Sequence, residues 1–191
     1  MQTKSLVVSG VGGQGIILAS EVISYALFKS GFDVKKNEIH GMSQRGGAVI
    51  SFIRYGDKVF SPVIGKGTAD FILSFEKLEA LRVLPYLKKD GVLIVSDIEI
   101  EPVPVMLGFM KYPSDFDGKV GTVTKNCKMV PAVKGAKEIG NIKVVNIFLV
   151  GALSKYIPDI KEKVWKEAVE KMVKPSYIEL NLKAFDMGRN M

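Results

Sequence analysis

Apolar positions along this chain switch between two rhythms. Leu6, Val7 and Val8 form a short continuous aliphatic run, the pattern of a buried strand. Ile16, Ile17, Ala19, Val22, Ile23, Ala26 and Leu27 then recur at helical spacing. Ser30-Gly31 stops that helix, and residues 32–39 read as a second strand that Asp33 opens. Residues 48–55 are rich in β-formers and predict a third. Gly56-Asp57 reads as a turn, with residues 58–61 returning as a hairpin partner before Pro62.

Residues 70–75 predict a further strand, and Glu76 opens a helix with Leu78, Leu81 and Leu84 as its apolar positions. Lys89-Asp90-Gly91 turns into a strand over 92–95, so this unit implies a parallel pair. Residues 103–107 suggest a short strand, and 112–124 a loop. Residues 128–130 read as the last strand, Pro131 as a first helical residue and Gly140 as that helix's stop. Residues 144–156 are apolar almost all round, the mark of a buried helix. A helix follows Pro158, and a last one opens at Pro175-Ser176 with Ser176 and Glu179 as a capping box. Strands mixed with helices predict a three-layer α/β/α domain with a mostly parallel or mixed sheet, and a helical C-terminal part over about 131–191.

Two polar, glycine-rich stretches interrupt these apolar runs. Gly10, Gly12, Gly13, Gln14 and Gly15 lie between the first strand and the first helix. Gly10, Gly12 and Gly15 fit G-x-G-x-x-G, in which glycine permits close backbone approach and the helix's first amides face an anion. A dinucleotide site also needs an acid roughly 20 residues on, at the end of the second strand. Asp33 opens that strand instead, and Glu38 is further off, so a turn that only lets helix and strand pack stays open as a reading.

The second stretch holds His40, Gly41, Ser43, Gln44, Arg45, Gly46 and Gly47 between two strands, on the rim of the sheet. If the first two strands are parallel neighbours, both loops meet at the carboxyl edge, where open α/β sheets bind ligands. Arg45 suits a bidentate contact with phosphate or carboxylate, or a structural pair with a nearby acid. Ser43 and His40 lack a third orienting group and a nucleophile elbow, so no catalytic residue is assigned.

Composition narrows the choices. The 191 residues suffice for one domain that buries roughly 70% of its extended surface. A formal charge of +7 permits acidic or phosphorylated partners, but no basic stripe is interleaved with aromatics as nucleic-acid binding would require. Cys127 is the single cysteine and His40 the single histidine, which excludes a disulfide, a zinc site and an iron–sulfur cluster held by this chain. A reducing, cytoplasmic setting fits. Residues 5–20 are broken by glycines and Gln14 and make a poor membrane span.

Taken together, the strings at 10–15 and 40–47 resemble the beta subunit of indolepyruvate:ferredoxin oxidoreductase, itself similar to the gamma subunit or domain of 2-oxoacid:ferredoxin oxidoreductases. The resemblance continues through Ser61-Pro62, Ala69-Asp70, residues 76–82, Gly140-Asn141, Asn146, residues 151–153 and residues 181–185, making residues 1–191 one gamma-type domain. It implies an accessory subunit of a complex that oxidatively decarboxylates arylpyruvates such as indolepyruvate to acyl-coenzyme A and passes electrons to ferredoxin. Thiamine diphosphate and iron–sulfur clusters are then expected in a large alpha subunit, because this chain has one cysteine and no Gly-Asp-Gly segment followed by paired asparagines. Coenzyme A is the implied co-substrate, and the two glycine loops would face the partner subunit near the active site or help bind coenzyme A. The isolated chain is expected to be inactive and to form a homodimer or aggregate. Two rival readings remain: a stand-alone Rossmann-like nucleotide-binding oxidoreductase, and an interaction module in which the loops only fit a partner surface.

Overall fold

The computed structural model describes residues 2–41 and 47–191. Among them, six strands form one sheet in the order β2-β3-β1-β4-β5-β6. These are β1 (Lys4–Val11), β2 (Asp33–His40), β3 (Ala48–Gly56), β4 (Ala69–Ser74), β5 (Leu87–Ser96) and β6 (Cys127–Val130). Strands β1, β4, β5 and β6 run parallel, while β3 is antiparallel to both β1 and β2.

Alternation along the strands sorts the core into two layers. Leu6, Val8, Ile53, Phe71, Leu73 and Ile94 face a large helical layer. That layer holds α1 (Ile16–Lys29), α5 (Ala132–Ile139), α6 (Val145–Ser154), α7 (Glu162–Met172) and α8 (Ile178–Arg189). Val7, Phe52, Ile72, Leu93 and Val95 face the smaller layer, with α2 (Lys77–Val83) and α4 (Phe116–Gly121). Every residue of α6 is buried, as its all-round apolarity predicts. Glycines let its neighbour approach: a Cβ on Gly188 of α8 would lie 1.9 Å from the Phe148 carbonyl oxygen of α6.

Several expectations are corrected. The first two strands are not neighbours, since β3 lies between β1 and β2. Residues 58–61 form no strand, because both edges of β3 are already taken: Tyr55 pairs with Lys4 on one side and Val34 on the other. Val103–Met106 is a short helix, α3, whose first turn tolerates Pro104 because no amide is needed there. Its Val105 and Met106 amides donate to the Pro102 carbonyl. Within the expected loop of 112–124, Asp115 caps α4 by accepting from the Gly118 amide at 3.0 Å. No capping box forms at Ser176; a 3₁₀ turn over Pro175–Tyr177 comes first, and α8 starts at Ile178 without a side-chain cap.

Candidate functional site

The carboxyl end of β1 carries the glycine turn. Val11 pairs with Ala48 at the start of β3, and Val49 pairs with His40 at the end of β2. Both glycine stretches therefore reach one edge of the sheet, through an antiparallel strand that joins them and not as parallel neighbours. Backbone bonds seal the junction. The Gly12 amide donates to the Gly47 carbonyl at 2.8 Å, and the Gly41 amide donates to the Ala48 carbonyl at 2.9 Å. Ser43, Gln44, Arg45 and Gly46 lie outside the described residues.

Inside the turn, Gly13 and Gly15 take positive φ, 98° and 82°, in the left-handed region that favours glycine. The Gln14 side chain folds back under its own turn. Its Oε1 accepts from the Val11 amide at 2.7 Å, and its Nε2 donates to the Phe75 carbonyl at 3.1 Å. Gln14 thus ties the end of β1 to the end of β4, and Gly10 leaves room for it: a Cβ there would lie 2.8 Å from Gln14 Oε1. Gly15 starts α1 with no side-chain cap, so the helix's first amides are unclaimed by a capping group.

A cleft of about 610 Å³ opens beside the turn, lined by Gly13, Gln14, Gly15, Ile98, Val133, Ile142, Lys143 and Val145. Its walls come from segments that leave the carboxyl ends of β1, β5 and β6, and from the start of α6. Lys143 supplies a cation. Lys143 also borders a second cleft of about 400 Å³ with Asn141, Asn146, Lys174 and Asn181. Asn146, buried at the start of α6, links the two clefts by packing against Gly15. Mostly apolar walls with a few amides, the ammonium groups of Lys143 and Lys174 and uncapped helix amides suit an amphipathic ligand or partner surface carrying negative charge.

The acids weighed for a ribose have other work. Asp33 accepts from the Val59 amide at 2.8 Å and pairs with Lys35 at 2.5 Å, and these two bonds, that to Lys35 foremost, hold its carboxyl below its ordinary range. Glu38 accepts from Ser20 Oγ at 3.3 Å and pairs with Lys36 at 2.9 Å. Because β3 separates β2 from β1, the β1–α1–β2 unit does not set an acid beside the turn as a dinucleotide fold does.

Glu76, which the sequence places at the opening of a helix, does more than cap it. It is 1% exposed, and its Oε2 caps α2 by accepting from the Glu79 amide at 2.8 Å. Its Oε1 accepts from the Ile100 amide at 3.1 Å and from the Tyr112 hydroxyl. Burial, and then that bond to the Glu76 carboxylate, raise the Tyr112 hydroxyl well above the usual tyrosine range. An acidic residue directly ahead of a helical run marks the cap, but no spacing signals the ties to Ile100 and Tyr112.

Fold and edge define an open α/β domain whose exposed rim is a glycine turn bonded to a returning loop. The model for pyruvate ferredoxin/flavodoxin oxidoreductase matches residues 5–191, and the chain belongs to that family. It is 40% identical over 200 residues to the indolepyruvate oxidoreductase subunit IorB of Pyrococcus horikoshii, covering 98% of this chain and 95% of the relative. Identity to the subunit of the same name from Archaeoglobus fulgidus is 38% over 190 residues, covering 97% and 94%. Among solved structures, the gamma subunit of a keto/oxoacid ferredoxin oxidoreductase from Geobacter sulfurreducens superposes with a TM-score of 0.73 at 25% identity, covering 98% and 96%. In the 2-oxoglutarate:ferredoxin oxidoreductase of Magnetococcus marinus, the fold recurs with a TM-score of 0.74 at 20% identity, over all of this chain and 31% of that longer one. The chain is therefore a small subunit of a multi-subunit 2-oxoacid:ferredoxin oxidoreductase, and the stand-alone Rossmann reading is set aside. Among the described residues, no helix is long and apolar enough to cross a membrane.

Proposed function

We propose that this chain is the small subunit of an arylpyruvate:ferredoxin oxidoreductase, with indolepyruvate as the representative substrate. The observation that carries this reading is identity of 38–40% to curated indolepyruvate oxidoreductase subunits over nearly the full length. The complex converts a 2-oxoacid and coenzyme A to acyl-coenzyme A and carbon dioxide, and ferredoxin accepts the electrons. A large partner subunit holds the thiamine diphosphate and the iron–sulfur clusters, because the single exposed thiol of Cys127 cannot ligate a cluster. The complex is cytoplasmic.

In this reading the chain's own work is to complete the partner's site. Gly10, Gly12, Gly13, Gln14 and Gly15, with the loop from His40 to Gly47, form the face turned toward the large subunit. The bond between Gly12 and Gly47 holds the two halves of that face as one surface. Arg45, Lys143 and the uncapped start of α1 give it positive character, which suits the phosphates of coenzyme A.

The test is reconstitution. The chain is co-expressed with its large subunit, and the purified complex is assayed for thiamine diphosphate, iron and indolepyruvate-dependent reduction of ferredoxin. Activity that needs both polypeptides supports the reading; a large subunit fully active alone would sink it. Arg45→Ala in the assembled complex is expected to weaken coenzyme A binding, and an unchanged affinity removes Arg45 from that role.

A further inference from the structure

Between β5 and α4 the chain leaves the sheet's carboxyl edge and forms an arm with its apolar side chains outward. Met106 is 68% exposed and Phe109 80%, and Val103, Leu107 and Met110 are exposed to a similar degree. No residue of α3 is buried. The arm is nonetheless a built structure. The amides of Val105 and Met106 donate to Pro102, Leu107 to Val103, Gly108 to Val105, and Phe109 and Met110 both to Pro104.

Its two legs are fastened to one buried carboxylate. Glu76 accepts from the Ile100 amide on the outgoing leg and from the Tyr112 hydroxyl on the returning one. The Tyr112 oxygen in turn accepts from the Leu78 amide at 3.1 Å, and the Lys77 amide donates to the Ile98 carbonyl at 3.1 Å. Lys77 also pairs with Glu99 on the outgoing leg at 2.8 Å. Such fastening costs chain entropy, and exposing large apolar side chains to water gains nothing in return.

We propose that this arm is an anchor that inserts into an apolar pocket of the large subunit of the same complex. The inference rests on the function proposed above and names the contact through which that partner is held. An aromatic side chain carries roughly 150–250 Å² and an aliphatic one less, so at about two-thirds exposure the five residues present on the order of 600 Å². A stable interface takes about 800 Å² from each side, so the arm supplies the apolar centre of an interface and not the whole of one. The remainder is at hand on the same edge. Ile98, at the base of the arm, also lines the cleft beside the glycine turn, so arm, cleft and turn form one continuous face.

The experiment compares Phe109→Asp and Leu107→Asp with a control, Phe28→Asp, an exposed apolar residue near the far end of α1. Each is introduced into the complex co-expressed with its tagged large subunit, and subunit affinity and stoichiometry are measured. Circular dichroism and thermal unfolding of each isolated variant check folding. The arm variants are expected to fold as wild type and to weaken assembly at least roughly thirtyfold, the size of a hot-spot loss, while the control does not. Assembly at wild-type affinity with a charged arm overturns the anchor and leaves the proposed function standing. A wild-type chain that never associates with the large subunit overturns both. If the arm variants only dissociate a homodimer of the isolated chain, the occupant is a second copy and the proposal fails.

Discussion

Gly15 and Asn146 are 131 residues apart in sequence and touch, with Asn146 Nδ2 donating to the Gly15 carbonyl at 3.5 Å. A Cβ on Gly15 would lie 2.6 Å from that same nitrogen. The contact seats the start of α6 against the start of α1, so the wall of the cleft depends on a position with no side chain. Gly15→Ala adds left-handed strain of about 1–3 kcal/mol to this crowding. Denaturant unfolding should show that loss, and Asn146→Ala in the same background should recover only the crowding part.

Gln14 holds the glycine turn in shape from below. Gln14→Ala leaves the Val11 amide and the Phe75 carbonyl without their partner and is expected to cost about 1–3 kcal/mol. Gln14→Glu keeps the acceptor for Val11 and loses the donor to Phe75. Urea midpoints should rank wild type above both variants, and an unchanged midpoint for Gln14→Ala would show that the turn does not need this brace.

Gly188 lies inside α8, where alanine ordinarily favours a helix by about 1 kcal/mol. Here the added methyl would meet the Phe148 backbone, which cannot swing aside as a side chain can. Gly188→Ala is therefore expected to destabilise by about 1–3 kcal/mol, against its helix propensity. Gly151→Ala faces the Phe185 carbonyl at 2.2 Å and should behave alike. Thermal unfolding of the two variants decides between propensity and packing.

Glu79 is 3% exposed, and burial raises its carboxyl above the ordinary glutamate range; Arg82 opposes that shift and Glu76 adds to it. The folded state then holds the proton more tightly than the unfolded one. Its contribution to stability is present in full below the unfolded value, about 4.3, and is lost as pH rises through the folded value. Glu79→Gln removes this dependence. Stability measured from pH 4 to 8 should fall for wild type relative to the variant as pH rises; parallel curves would mean the carboxyl titrates normally.

The local elements were readable from the chain alone. The apolar run of β1, the helical spacing of α1 and the all-round apolarity of α6 each report one stretch packing against one neighbour, and that information is local. The glycine string told of a tight turn for the same reason. Where proline obscures the local pattern, as at residues 103–107, a helix reads as a strand. Glu79 was missed because its burial follows from where α2 sits on the sheet, not from its spacing.

By itself, then, the sequence determined the main strands and helices, where the glycine turn lies, that one thiol cannot hold a cluster, and which family the two motifs resemble. Only the tertiary structure decided that β3 is inserted antiparallel between β1 and β2, so that Gly12 and Gly47 bond across the join. It alone brought Asn146 to Gly15, and Ile100 and Tyr112 to Glu76. The physical reason is the same in each case. Strand pairing and side-chain contacts between distant segments depend on which surfaces remain free once the core has closed, and no spacing along one chain records that.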